Sequence, residues 1–427
     1  MKKTAVALFI LALISACRHS DKAIVKAAYI DSLITHYSPS TLSKTNNSDI
    51  RFWKKRMDSL PDNFVNGPQY ASALSLRFHL YADIHDLRKA DSLMKRSNEA
   101  NKEKEPGIFR SLASFAMLQH QFIESDSFLQ KAIRIEGLSL PNAFTGFDIA
   151  FERGDYRKAN TLLSALSKGN SYGYLFRRSK YQHYDGSLDT AIACMKRAAE
   201  KANNNNYLKQ AALSNAADLC IHKGLLEEAA DLYLQSLSID AADFHSMSGL
   251  GWIALTHDKN DSLAATIFRF VQQQQHSPDM LLKLEQVAEA GSDSLLQKKY
   301  AAEFAQQAGD SIYGRMYNKY LIDLYTGVLH QPAKAVALAK EETLSRPTPQ
   351  VFAWYAWSLF CNNERDKAYS TFKGWVSGRP LEGLELYYMG KMMQGMNKGY
   401  NAKEFFKAAY KNRYDLSPAK QKELEKI

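Results

Sequence analysis

An all-α solenoid of about ten stacked helix pairs is the fold class that this 427-residue sequence predicts, and three observations point to it. Ala, Leu, Lys, Glu and Gln dominate the long segments, and sustained alternation with β-branched residues, the mark of a strand, is absent. A small residue recurs at a nearly constant interval, as Ala90, Ser125, Ala159, Ala191, Ala229, Ala264, Ala335, Ala368 and Ala402. The separations are 35, 34, 32, 38, 35, 71, 33 and 34, and the gap of 71 hides one degenerate copy between Leu281 and Gly309. One helical turn after most of these positions stands a larger apolar side chain: Met94, Leu129, Leu163, Met195, Tyr233, Phe268, Phe372 and Phe406. A small residue admits a neighbouring helix and the large one fills the groove beside it, so the pattern specifies helices that pack in series.

The clearest copy runs from Leu213 to Asp240. Leu213, Ala216 and Ala217 lie on one helix, Gly224 turns the chain, and Ala229, Tyr233, Leu237 and Ile239 lie on the next. Such pairs stack into a quasi-one-dimensional array, so the length of the chain does not require a division into globular domains.

Residues 1–16 read as a signal to be excluded from the fold. Met1-Lys2-Lys3 is a basic start, Ala5 to Ile14 is apolar but too short for a convincing span, and Ile14-Ser15-Ala16-Cys17 resembles a bacterial lipobox. Cys17 is therefore the expected lipidation site, its thiol carrying the diacylglycerol, and two or more acyl chains hold a protein on a membrane stably. Residues 17–49 are expected to form a linker, with a short helix from Asp21 to His36 and a flexible polar spacer after it. A capping helix is expected within 50–70 (Ile50 to Leu60), the solenoid over 71–415, and a C-terminal capping helix over 416–427 with Ser417 as its cap and Pro418 at its first position.

Matching residues across copies, Ala217, Gly224, Ala229 and Tyr233 in one, Gly154, Tyr156 and Ala159 in another, Gly186, Ala191 and Ala198 in a third, resemble the tetratricopeptide repeat over roughly Ala71 to Asn412. The resemblance implies a right-handed superhelix that binds a partner and catalyses nothing. Trp375 departs from it, standing where a small residue is expected. Tyr172 to Ala202 and Arg346-Pro347-Thr348-Pro349-Gln350 are similar to segments of bacterial cell-surface tetratricopeptide lipoproteins, which implies an envelope location, with the outer membrane as the expected one.

In tetratricopeptide proteins ligands contact the first helix of each pair along the inner groove. Carried onto this chain, that face offers Phe144 and Asp148, then Phe176, Lys180, His183 and Tyr184, then Asp218, Trp252, Trp357 and Phe360. Rings among mixed charges suit an extended peptide or, as an alternative, a glycan of a nutrient-uptake system. The rings of Trp252, Trp357, Phe176 and Tyr184 are expected to be partly exposed.

The whole chain carries 55 basic and 45 acidic residues; without Lys2 and Lys3 the balance is 53 to 45, near +8. The basic residues are scattered, and export speaks against nucleic acid. No nucleotide-binding loop, HExxH or CxxC occurs, and Gly249-Leu250-Gly251 lacks the rest of a dinucleotide fingerprint. His183, His222 and Asp218 share a surface that would suit a metal, the basis of a minor reading as a metal-dependent envelope enzyme; the leading expectation is no cofactor. Cys194, Cys220 and Cys361 are expected as buried apolar residues, with a Cys194–Cys220 disulfide left open.

Overall fold

The computed structural model describes residues 23–60, 65–397 and 402–427. Cys17 and the rest of the lipobox lie outside the described residues. Among them there are 23 α-helices and no strand. Two helices precede the array, α1 (Ala27–Thr35) and α2 (Thr41–Ser59). Ten pairs follow, beginning with α3 (Asn66–Tyr81) and α4 (Ile84–Ala100), α5 (Pro106–Leu118) and α6 (Phe122–Glu136), then α7 (Leu140–Glu152) and α8 (Tyr156–Leu166). The middle pairs are α9 (Tyr172–Tyr184) and α10 (Leu188–Lys201), α11 (Asn206–Lys223) and α12 (Leu226–Ile239), α13 (Phe244–Thr256) and α14 (Asp261–Gln274). The last four are α15 (Asp279–Ala290) and α16 (Ser294–Ala308), α17 (Asn318–Thr326) and α18 (Pro332–Ser345), α19 (Pro349–Cys361) and α20 (Arg365–Thr371), α21 (Gly383–Met396) and α22 (Ala402–Lys411). The short helix α23 (Pro418–Leu424) closes the chain.

The repeat landmarks lie where helices touch. Ala90, Ser125, Ala159, Ala191, Ala229, Ala264, Ala335 and Ala368 are fully buried, and Ala301 supplies the same contact in the degenerate copy. Ala402 alone is half-buried. Ser125 is accommodated because its hydroxyl donates to the Ala113 carbonyl at 2.7 Å, so its polarity is met inside the packing. Gly224 closes α11 at a φ of +80°, a left-handed conformation that glycine adopts without the Cβ penalty. Gly249 serves a different need: a Cβ there would lie 2.2 Å from the Tyr233 ring, so the residue lets α13 lie against α12. Trp375 belongs to a π-helical turn, Phe372–Val376, that follows α20; its ring is 47% exposed and stacks on Phe352. The wider turn carries the bulky ring out of the packed face, where a small residue would otherwise be required.

The N-terminal segment differs from the expected flexible linker. The polar stretch expected as a spacer forms the first turns of α2, capped by the Ser40 hydroxyl, which accepts from the Ser43 amide at 3.1 Å. Asn46 is buried and donates to the Ala73 carbonyl, and the Ser43 hydroxyl meets that of Tyr81 at 2.6 Å, so this polar sequence is held by specific bonds to α3. Pro418 opens α23, which packs on the last helix of the array, α22, with Leu424 in one cluster with Phe406 and Ala409. The helix also lies across the interior against α15, with Gln421 and Leu424 buried.

The superhelix also closes on itself. Arg88 of α4 donates to the Ile312 carbonyl at 2.7 Å, the His276 amide donates to the Tyr81 carbonyl at 2.8 Å, and Arg346 pairs with Glu152 at 2.6 Å. Ile24 and Val25, just before α1, both donate to the Asp258 carboxylate beyond α13. Later pairs therefore stack over earlier ones and enclose the inner face.

Candidate functional site

The first helix of each pair, from α7 through α21, contributes to an inner face that holds two connected spaces. One is a cavity of about 410 Å³ lined by α9 and the loop after α18, with α17, α19 and the start of α21. The other is a cleft of about 570 Å³ bordered by α11, α13, α15 and α17 on one side and the C-terminal segment on the other. His222, Lys319 and Asp415 border both.

In the cavity the carboxylate of Glu152 accepts from Lys180 and Arg346, each at 2.6 Å. Burial alone would raise its pKa, but the two cations outweigh burial and draw it down to about 2. Across the space, Glu385 is fully buried; Oε1 accepts from the Trp354 indole at 2.6 Å and lies 3.7 Å from the Lys319 ammonium. Burial, opposed by Lys319, holds the Glu385 carboxyl above the usual range. Tyr156 and Tyr184 stack with centroids 3.6 Å apart, forming an aromatic wall.

The cleft is polar along its rim. Asp218 accepts from the Tyr233 hydroxyl at 2.5 Å and from His245 Nε2 at 2.9 Å. Lys283 stands 3.8 Å over the Trp252 ring, and burial lowers its pKa to about 8. Tyr320 is 40% exposed and the His245 side chain 60% exposed, so the cleft has an accessible side. Its other wall is the chain's own tail. The Trp252 indole donates to the Tyr414 carbonyl at 2.7 Å, His222 Nδ1 meets Asp415 at 2.6 Å, and Leu416 is fully buried.

The sequence-derived candidates divide into three groups. Lys180, His183 and Tyr184 line the cavity, and Asp218 and Trp252 line the cleft. Trp252 is only 8% exposed, because the tail covers the ring expected to face an open groove. Phe144, Asp148 and Phe176 line neither space: Arg177 pairs with Asp148 and its guanidinium lies 4.5 Å over the Phe144 ring, while Phe176 packs against Tyr172. Trp357 and Phe360 lie away from both spaces. Trp357 stacks on Tyr388 with a centroid distance of 5.0 Å and donates to Thr326, while Phe360 packs on Gly395.

His183 and His222 do stand together, with ring centroids 4.8 Å apart, but Asp218 turns to His245 and it is Asp415 that meets His222. Among the described residues no group of three or more His, Cys, Asp or Glu is placed to hold a metal ion. Cys194, Cys220 and Cys361 are all free thiols, the first two buried. Sequence reading missed Arg346, Glu382, Glu385 and Asp415, which reach the inner face only through the second turn of the superhelix. Arg346 opens a segment already singled out on other grounds; the remaining three carry no local signal.

Ten helix pairs, with a buried small residue at the contact in nine of them, decide the fold. It is tetratricopeptide-like. No family model matches the chain, and no curated protein does. Among solved structures, the crystal structure of the P58(IPK) TPR domain aligns over 84% of this chain and 92% of that one, at 13% identity and a TM-score of 0.27. At that TM-score the assignment of the fold rests on this chain's own helix pairs. A tetratricopeptide-like solenoid of this kind presents an extended inner surface of the sort that such arrays use to bind proteins.

Proposed function

We propose that the protein is a lipid-anchored, non-catalytic scaffold of the bacterial envelope that binds a segment of a protein partner along its inner cleft. One observation carries the reading: the inner face already holds a peptide. Trp252 donates to the main-chain carbonyl of Tyr414 and His222 meets the carboxylate of Asp415, both in a 3-10 turn (Arg413–Asp415), so the cleft has the donors that a bound segment needs. The exposed rim, Tyr320 and His245, is where a partner segment would add to the chain's own. The anchor at Cys17 rests on the lipobox alone. Only five residues, 18–22, separate Cys17 from the described body, so a lipid there would hold the body within about 20 Å of the bilayer.

The test is capture from crosslinked bacterial envelope by the purified protein and by Tyr320→Ala and His245→Ala, with glycan arrays probed in parallel. Loss of a discrete protein band from both variants, at unchanged helical content, is expected. A glycan signal that the variants lose instead would replace the protein partner with a sugar.

A further inference from the structure

The partly open cavity has two electrical poles. At one, a single carboxylate, Glu152, faces two cations, Lys180 and Arg346. At the other, two carboxylates, Glu382 and Glu385, stand one helical turn apart beside a single ammonium, Lys319, which lies 3.7 Å from Glu385. The His222–Asp415 pair between them adds no net charge when the imidazole is protonated. The lining is thus neutral in sum and polarised in arrangement, with a positive excess at the α7 side and a negative excess at the start of α21.

A second observation marks the negative pole. Glu385 has no exposed surface, and its Oε2 accepts no hydrogen bond from the chain although the residue lines the cavity. A buried acceptor left unpaired costs about 1–3 kcal/mol, more when charged; Oε2 is closed to a molecule the size of water, so a donor in the cavity meets it only once the Glu385 side chain turns toward that space. Phe151, Tyr156, Tyr184 and Leu381 form an apolar wall between the poles. The volume of about 410 Å³ falls in the range of small-molecule sites, roughly 300–1,000 Å³.

We propose that this cavity binds a small zwitterion with an apolar side chain, of amino-acid or dipeptide size. Its ammonium lies toward Glu382 and Glu385, its carboxylate toward Lys180 and Arg346, and its side chain against the stacked tyrosines. A simple anion or cation would satisfy one pole and oppose the other. A neutral sugar would use the rings but leave both excess charges unmatched, and charge-assisted bonds are stronger than neutral ones. The inference does not depend on the protein partner, which uses the cleft rim.

Isothermal titration calorimetry on the intact protein tests it, with L-leucine, L-phenylalanine and L-leucyl-L-leucine as probes, beside N-acetyl-L-leucine, L-leucinamide and maltose. Saturable binding is expected for at least one free zwitterion, and blocking either its ammonium or its carboxylate should weaken binding roughly tenfold or more. Glu385→Gln keeps an acceptor for Trp354 and removes the charge, so the folded variant should bind more weakly by a similar factor, with a lowered melting temperature because Lys319 loses its partner. The proposal is overturned if no zwitterion gives saturable heat, if the blocked compounds bind as tightly as the free ones, or if maltose binds in their place. Should Glu385→Gln fail to fold, the comparison of free and blocked ligands on the unaltered protein still decides.

Discussion

The indole of Trp252 and the main-chain carbonyl of Tyr414 are joined by a 2.7 Å hydrogen bond that spans 162 residues of sequence. It ties the tail to the inner face of α13, and the same short segment brings Asp415 to His222 and Lys420 to within 3.6 Å of Asp323. Trp252→Phe keeps the ring and deletes the donor. It should cost about 1 kcal/mol of stability, and amide exchange should quicken at Leu416 through Leu424 while α3 is unaffected. Equal protection of both regions in wild type and variant would mean that the bond does not hold the tail.

The contact between His222 and Asp415 makes that attachment pH-dependent. Burial opposes protonation of His222, but the hydrogen bond and charge of Asp415, helped by Glu382 and Asp218, outweigh it and push the imidazole up to about 9. A pKa raised on folding stabilises fully below the ordinary imidazole value near ~6.5 and loses that contribution as pH rises through the folded value. Urea unfolding midpoints measured from about pH 6 to about pH 10 should therefore fall more steeply for the wild type than for His222→Gln. Parallel curves would remove the pair from the account.

Ala229 is fully buried between helices, in the copy of the repeat that sequence shows most clearly. Ala229→Trp would overpack that contact and should cost on the order of 1–3 kcal/mol. Thermal unfolding of the purified variant reads this directly, and an unchanged midpoint would mean that the packing of α12 is wrongly assigned.

Cys17→Ser deletes the proposed acylation site. The variant should leave the membrane fraction or accumulate unprocessed. A processed form of the variant that still sediments with membranes would contradict a lipid anchor.

The repeat was legible because it is local: Ala159, Ala191 and Ala229 repeat at short range, and burial follows directly from the spacing. What sequence could not show is the closure of the superhelix. Trp252 reads as a groove ring, and it does face the inner side, but whether that side is open depends on Tyr414, which no periodicity links to it. Trp357 was placed in the groove by register, yet Tyr388 from α21 stacks over it. The polar run from Ser38 to Asp49 reads as a flexible spacer, since composition does not reveal that Asn46 finds the Ala73 carbonyl and Ser43 the Tyr81 hydroxyl. Glu152 and Arg346 lie 194 residues apart, and only the stacking of turns makes them one site.

Site-specific photocrosslinking from the cleft tests the central claim most directly. Benzoylphenylalanine placed at Tyr320, on the accessible rim, is compared with the same residue at Leu295, which is 83% exposed and outside both inner spaces. Irradiation of intact cells should yield a discrete protein adduct from position 320 and none from position 295, and excess competing partner segment should suppress it. Identical adducts from both positions, or none from 320 while the protein is folded and present, would contradict a partner-binding inner cleft.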